Sequence, residues 1–329
     1  MHRQPDTGMK LPLPYITGWK FTARQHNPPP PTRVTPGSCL NDDVGYLEWK
    51  EMNPVERCLQ HPPLEGSYGS FSLDLQIRGT LRAGDDHNDQ VVVVDVLTED
   101  SHLKGQSIVA KIYDPLYFYD DDGYVNSLAC VDKHYTHEAG IYAALSDLQG
   151  SMIPRYYGSF SIDIPIDSST MRSVRLILIE LIPGLSMRDL DPSEFSREER
   201  QSIMKSLVDF ETLLYTRDIL WSDTHPRNVI LADGRALFID FGDALFGRAG
   251  LYSNDPEMES DCLPGVYISP LLRWHQAQRR TFEFDTWIDW DWQSWLETEY
   301  GNTEGSITQE TRDKFLPSYL LEPVEKPRD

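Results

Sequence analysis

The chain has 329 residues, 40% of them hydrophobic and 11% aromatic, enough to build a sizeable core and to exclude general disorder. A formal charge of −22 and a pI near 4.7 disfavour a nucleic-acid backbone or an anionic membrane surface as partner. No run of about 18 apolar residues is present, the start Met1-His2-Arg3 lacks the apolar stretch of a secretory signal, and Cys39, Cys58, Cys130 and Cys262 form neither a C-x-x-C pair nor a disulfide framework; together these predict a cytoplasmic protein, with the nucleus also open, that binds no membrane and no nucleic acid.

Residues 1–65 are rich in proline, including Pro28 to Pro31, and read as an extended, partly ordered N-terminal arm in which Tyr46 to Trp49 form a short docking helix. From about residue 68 the pattern turns strand-like. Phe71 to Ile77 alternates apolar and polar, Gln90 to Leu97 is valine-rich, and Ser107 to Tyr113 follows. The loop from Gly79 through Gly84 to Asp89 is acidic and has only two glycines. It reads as an ordinary polar hairpin or as a phosphate-facing loop whose Asp85, Asp86 and Asp89 point away.

Lys111 lies inside an apolar strand, a costly position unless the ammonium is paired or faces a cleft. Its expected partner is Glu138, on a helix over 134–145 whose apolar face carries Ile141, Tyr142 and Leu145. His134 and His137 on that helix read as solvated, as does the turn Asp120 to Gly123. Pro154 to Phe160 and Val174 to Gly184 supply two further strands. Ser196 with Glu199 is a capping-box pattern that opens a helix with Ile203, Leu207, Phe210 and Leu214 on one face. Farther on, Trp287, Trp290, Trp292 and Trp295 read as one buried helix bearing the acids Asp285, Asp289 and Asp291, with core packing favoured over a ligand-binding aromatic platform.

The most specific feature lies between these helices. Ile219 to Leu231 reads Ile-Leu-Trp-Ser-Asp-Thr-His-Pro-Arg-Asn-Val-Ile-Leu, and Leu237 to Gly242 reads Leu-Phe-Ile-Asp-Phe-Gly. Asp223 therefore stands five residues before Asn228, and Asp240 seventeen after Asp223, each beside a short apolar run. Phosphoryl transfer needs a carboxylate to orient or deprotonate the attacking hydroxyl, and hard oxygen ligands to hold Mg²⁺ on the phosphates. The ordered pair resembles the catalytic loop and Asp-Phe-Gly of the protein-kinase-like superfamily. Its Asp-Thr-His-Pro-Arg-Asn wording is similar to that of the aminoglycoside and choline phosphotransferases, and Trp221-Ser222 departs from the usual His-Arg or His-Gly.

Val109-Ala-Lys111 and Glu180-Leu-Ile-Pro-Gly184 resemble, in turn, the lysine strand and the hinge of that superfamily. The resemblance implies an α+β, bilobal protein-kinase-like fold. A small antiparallel β lobe and hinge would span 66–182, and an abbreviated, mainly helical large lobe 183–329. It implies a kinase using ATP and Mg²⁺. Lys111, oriented by Glu138, would meet the α- and β-phosphates, and the backbone from Glu180 to Ile182 would meet the adenine edge. Asn228 and Asp240 would hold Mg²⁺. Asp223 would align or deprotonate the acceptor hydroxyl, with His225 or Arg227 near the phosphates. A protein acceptor is favoured by the segment Cys262 to Leu271, weakly similar to the end of an activation segment. The His225-Pro226 wording and the short large lobe favour a small molecule. A nucleotide-binding or scaffold module without turnover is the third reading, motivated by the sparse glycine loop, by Trp221-Ser222, and by Leu271 where the acid of Ala-Pro-Glu and its ion pair are customary.

Overall fold

Alternating valine, isoleucine and leucine side chains set up the first half of the chain as antiparallel sheet. The computed structural model describes residues 10–35, 37–85, 87–119, 122–248 and 262–317, so Asp86, Asp120 and Asp121 lie outside the described residues. The fold is mixed α+β and divides into two compact units. One runs through Ile182 and includes Asp240 to Asp243; the other comprises Pro183 to Ile239 and the chain from Ala244 onward.

In the first unit, β1 (Lys20–Asn27), β2 (Ser67–Arg82), β3 (Gln90–Val96), β4 (Ile108–Tyr113), β5 (Tyr156–Pro165) and β6 (Met171–Glu180) close an antiparallel barrel in the order β1-β2-β3-β4-β6-β5. The interior holds the side chains of one strand face, among them Leu73, Leu75, Val92, Val94, Ile108, Ala110, Ile112, Leu176 and Leu178. Because Ile108, Ala110 and Ile112 point into the barrel, Lys111 points the other way, between Val109 and Tyr113 at a register that pairs it with Val91 and Ile177. That outer face is buried too, since α3 (Ser127–Ala144) packs on β4, β5 and β6.

Two expectations are revised here. The helix expected at Tyr46 to Trp49 is present within α1 (Asp43–Glu51), but the arm is not otherwise merely extended: it also contributes β1 and α2 (Pro54–Gln60). β1 buries only Ala23 and His26 completely, so its place in the sheet comes from ladder bonds to β2 and β5 that a polar sequence does not announce. His134 and His137 are not solvated but buried in α3. His137 Nε2 lies 2.8 Å from the Thr32 carbonyl, because the N-terminal segment covers the side of α3 that would otherwise face water.

The second unit is built around α4 (Arg197–Thr216), whose capping box is formed by Ser196 and Glu199. β7 (Leu185–Ser186), β9 (Val229–Ala232) and β10 (Arg235–Phe238) make a small sheet in the order β10-β9-β7, and β8 (Ile219–Leu220) pairs with β11 (Leu245–Phe246). α5 (Pro270–Arg273), α6 (Trp292–Tyr300) and α7 (Gln309–Phe315) follow. The tryptophans do not share one helix. Asp291 caps α6 by accepting from the Ser294 N–H, so Trp292 and Trp295 are helical while Trp287 ends a 3-10 segment and Trp290 lies between. The indoles are packing groups: Trp287 Nε1 donates to the Met187 carbonyl and Trp292 Nε1 to that of Trp274. Among the described residues no helix is long and apolar enough to cross a membrane. Cys39, Cys58 and Cys130 are free thiols.

Candidate functional site

Strand β4 delivers Lys111 and helix α3 delivers Glu138 to the same buried spot. Lys111 Nζ lies 2.6 Å from Glu138 Oε2, and the Tyr113 hydroxyl donates to that same oxygen at 2.8 Å. Asp240, which belongs to the same compact unit, places Oδ1 2.6 Å from Lys111 Nζ. Asp240 holds a left-handed backbone, φ +65°, a conformation that costs a non-glycine residue free energy and recurs where a side chain is aimed at a task. Burial alone would lower the Lys111 ammonium, but Asp240, Asp89 and Glu138 outweigh it and hold the group well above the ordinary lysine value. Burial likewise raises the Asp240 carboxyl, and Lys111 and Arg82 more than reverse that, leaving it below the usual carboxylate value. Glu138 ends above it, because its burial exceeds what Lys111 returns.

A phosphate-facing hairpin between β2 and β3 requires its acids to point away, and for Asp89 the opposite holds. Asp89 is 4% exposed; one carboxylate oxygen is ion-paired with Arg82 and the other lies 3.2 Å from Lys111 Nζ. The pull of two cations brings the acid inward. Asp85 instead pairs with Lys10 at 3.2 Å. Gly84 sends its N–H to Gln90 Oε1 at 2.7 Å, so this backbone donor is engaged by the chain itself. On the adjacent turn, Asp243 binds Lys133 at 2.6 Å and His134 at 3.2 Å. These contacts tie the segment after Asp240 to α3. They also outweigh partial desolvation and depress the half-exposed Asp243 carboxyl, chiefly through His134 and then Lys133.

At the end of β6, Glu180 N–H donates to the Arg155 carbonyl at 2.9 Å and Leu181 N–H to that of Ser107 at 3.0 Å. Two donors of the Glu180–Ile182 segment are therefore engaged within the sheet.

In the second unit the Asp223 loop is held from below by Trp221, buried edge-on against Phe210 and Phe238 with centroids 5.5 and 5.8 Å away. Pro226 starts a 3-10 turn, a position where its missing N–H and fixed φ are no handicap. The His225 ring caps this turn by accepting from the Arg227 N–H at 3.1 Å. Asn228, 2% exposed, donates through Nδ2 to the Asp223 carbonyl at 3.0 Å and to Oδ2 at 2.8 Å, an arrangement that leaves its amide oxygen as acceptor. Arg227 binds both carboxylate oxygens of Asp223, at 2.7 and 2.8 Å. The carbonyl of Asn228 accepts from Ile239 N–H at 3.0 Å, which joins the strand after the loop to the residue before Asp240. His225 Nε2 lies 3.3 Å from Glu283. Burial, and then Arg227, lower its pKa.

Sequence reading missed Arg82, Asp243 and Glu283, and the inward role of Asp89. Arg82 and Asp89 carried a usable signal, since opposite charges flank the same hairpin loop. Leu271 carries no acid, but a buried ion pair lies close to it in the chain. Arg273, two residues on, binds Glu211 of α4, which also accepts from Trp274 Nε1 at 3.0 Å. Among the described residues no three His, Cys, Asp or Glu side chains are grouped to hold a metal ion by themselves.

Against known proteins, a stretch of 118 residues, 35% of this chain, is 29% identical to Serine/threonine-protein kinase D of Synechocystis sp.. The stretch spans 21% of that protein's length. No protein-family model matches the chain. The similarity hints at a kinase relationship, distant and partial.

Proposed function

We propose that this protein is an ATP-dependent phosphotransferase with a protein-kinase-like fold, its two units being the small lobe with hinge and an abbreviated large lobe. The observation that carries the reading is Lys111, buried in a strand and within 2.6 Å of both Glu138 and Asp240. A lysine so oriented is the cation that meets nucleotide phosphates in kinases. Asp240 and the amide oxygen of Asn228 are hard donors of the kind Mg²⁺ takes when phosphates supply its remaining ligands. Bound there, Mg²⁺ would neutralise charge on the phosphate oxygens. The Glu180–Ile182 backbone would meet the adenine edge. Asp223, aligned by Arg227 and Asn228, would orient the acceptor hydroxyl and take its proton.

The acceptor we favour is a serine or threonine hydroxyl of a protein, in keeping with the named relative; the His225-Pro226 wording favours a small metabolite instead. A nucleotide-binding or scaffold module without turnover draws support from the engaged Gly84 amide and from Asp89 on Lys111. Thermal unfolding with increasing Mg²⁺ and ATP tests the common element of these readings. At a hundred times Kd the nucleotide adds about 2.7 kcal/mol to stability and raises Tm. The Lys111→Met variant is expected to lose most of that shift. No shift in the wild type would refute nucleotide binding.

A further inference from the structure

Asp89 spans Arg82 and Lys111 with one carboxylate oxygen each. Two oxygens on two cations is the contact that a phosphate group makes with an arginine and a lysine. Arg82 also lies 3.8 Å from Asp240 Oδ2, so it borders the same group as Lys111. The five charged side chains, Arg82 and Lys111 against Asp89, Glu138 and Asp240, sum to −1, a balance that opposes an incoming polyanion. Glu138 is committed to Lys111 and Tyr113, and Asp240 is the expected metal ligand, which leaves Asp89 as the acid without a task in phosphate binding.

We propose that Arg82 is a second phosphate-binding cation and that Asp89 competes with the nucleotide's phosphates for Arg82 and Lys111, setting the affinity for nucleoside triphosphates. This rests on the phosphotransferase reading. Asp89 sits at the foot of β3 beside Gln90, whose side chain holds Gly84 through Oε1 at 2.7 Å and Nε2 at 3.1 Å. The brake is thereby attached to the turn that a triphosphate would have to pass.

The test is equilibrium binding of Mg·ATP and of adenosine to wild type, Asp89→Asn and Arg82→Met, each first checked for cooperative unfolding. Asp89→Asn is expected to bind Mg·ATP at least about fivefold more tightly, since one charge about 4 Å from a phosphate is worth about 1 kcal/mol even in bulk water and more where the charges are buried. Arg82→Met is expected to bind it several-fold more weakly, and neither change should move adenosine. If Asp89→Asn proves too unstable, weaker Mg·ATP binding by Arg82→Met with adenosine unmoved supports the proposal, and unaltered binding overturns it. Wild type that binds Mg·ATP beside an Asp89→Asn that binds no tighter overturns the competition alone. Wild type and variants that all fail to bind overturn the phosphotransferase reading as well.

Discussion

Glu211 is 1% exposed and shared by three donors: Arg273, Trp274 Nε1 at 3.0 Å and Arg280 at 3.2 Å. Arg273, 1% exposed, also lies over the Tyr215 ring at 3.4 Å. A charge buried this far is tolerated only with its partner. Glu211→Ala is therefore expected to cost about 3–5 kcal/mol in denaturant unfolding, because Arg273 is left buried and uncompensated. A loss below about 1 kcal/mol would mean that the unit does not depend on this pair. Lys111 follows the same rule from the opposite side, as one buried cation contacted by three carboxylates. The sequence could suggest Lys111 and Glu138 as partners, since a lysine in an apolar strand demands an acid and the next helix offers one. The inward turn of Asp89 was not legible because an acid in a polar loop is ordinarily solvated, and only the folded chain brings Arg82 and Lys111 to it.

Strand β1 and helix α3 are the elements whose roles were least legible. β1 carries Lys20, Arg24 and Gln25 and reads as polar coil, yet its ladder closes the barrel. α3 is buried nearly all round, so no amphipathic stripe separates its core side from a solvent side, and its histidines looked exposed. One bond joins the two elements: His26 Nδ1 lies 2.6 Å from the Tyr135 hydroxyl. Burial, and then Arg175 and Arg24, lower His26 to a pKa of about 4 from 6.5. The folded value lies below the unfolded one, so this contribution is present above pH 6.5 and is lost as pH falls toward 4. Up to about 3 kcal/mol is expected to disappear over that window. Denaturant unfolding at pH 7, 5.5 and 4 checks this, with His26→Gln showing a flatter decline; parallel declines would remove His26 from the acid response. By contrast α4 was legible down to its cap, because Ser196 and Glu199 act locally.

Across the whole molecule, a charge of −22 means that cations must be concentrated wherever a nucleotide is to bind. Arg82 and Lys111 are the local cations beside Asp240, and divalent metal is the expected remainder. The order of strands, lysine, Glu180–Gly184 segment, long helix, Asp223 loop and Asp240 could be followed in the sequence because each step has a short-range signature. The acceptor that the proposed function requires could not, since it would be chosen by surface shape rather than by motif. The two carboxylates assigned to the proposed chemistry have distinct surroundings: Asp223 is held by Arg227 and Asn228, and Asp240 by Lys111. Turnover of γ-labelled ATP with Mg²⁺, comparing wild type with Asp223→Ala at equal nucleotide occupancy, tests the central claim most directly. Wild type is expected to exceed the variant by at least about a hundredfold. Equal rates, with both proteins binding ATP, would contradict catalysis at Asp223 and leave a nucleotide-binding module in its place.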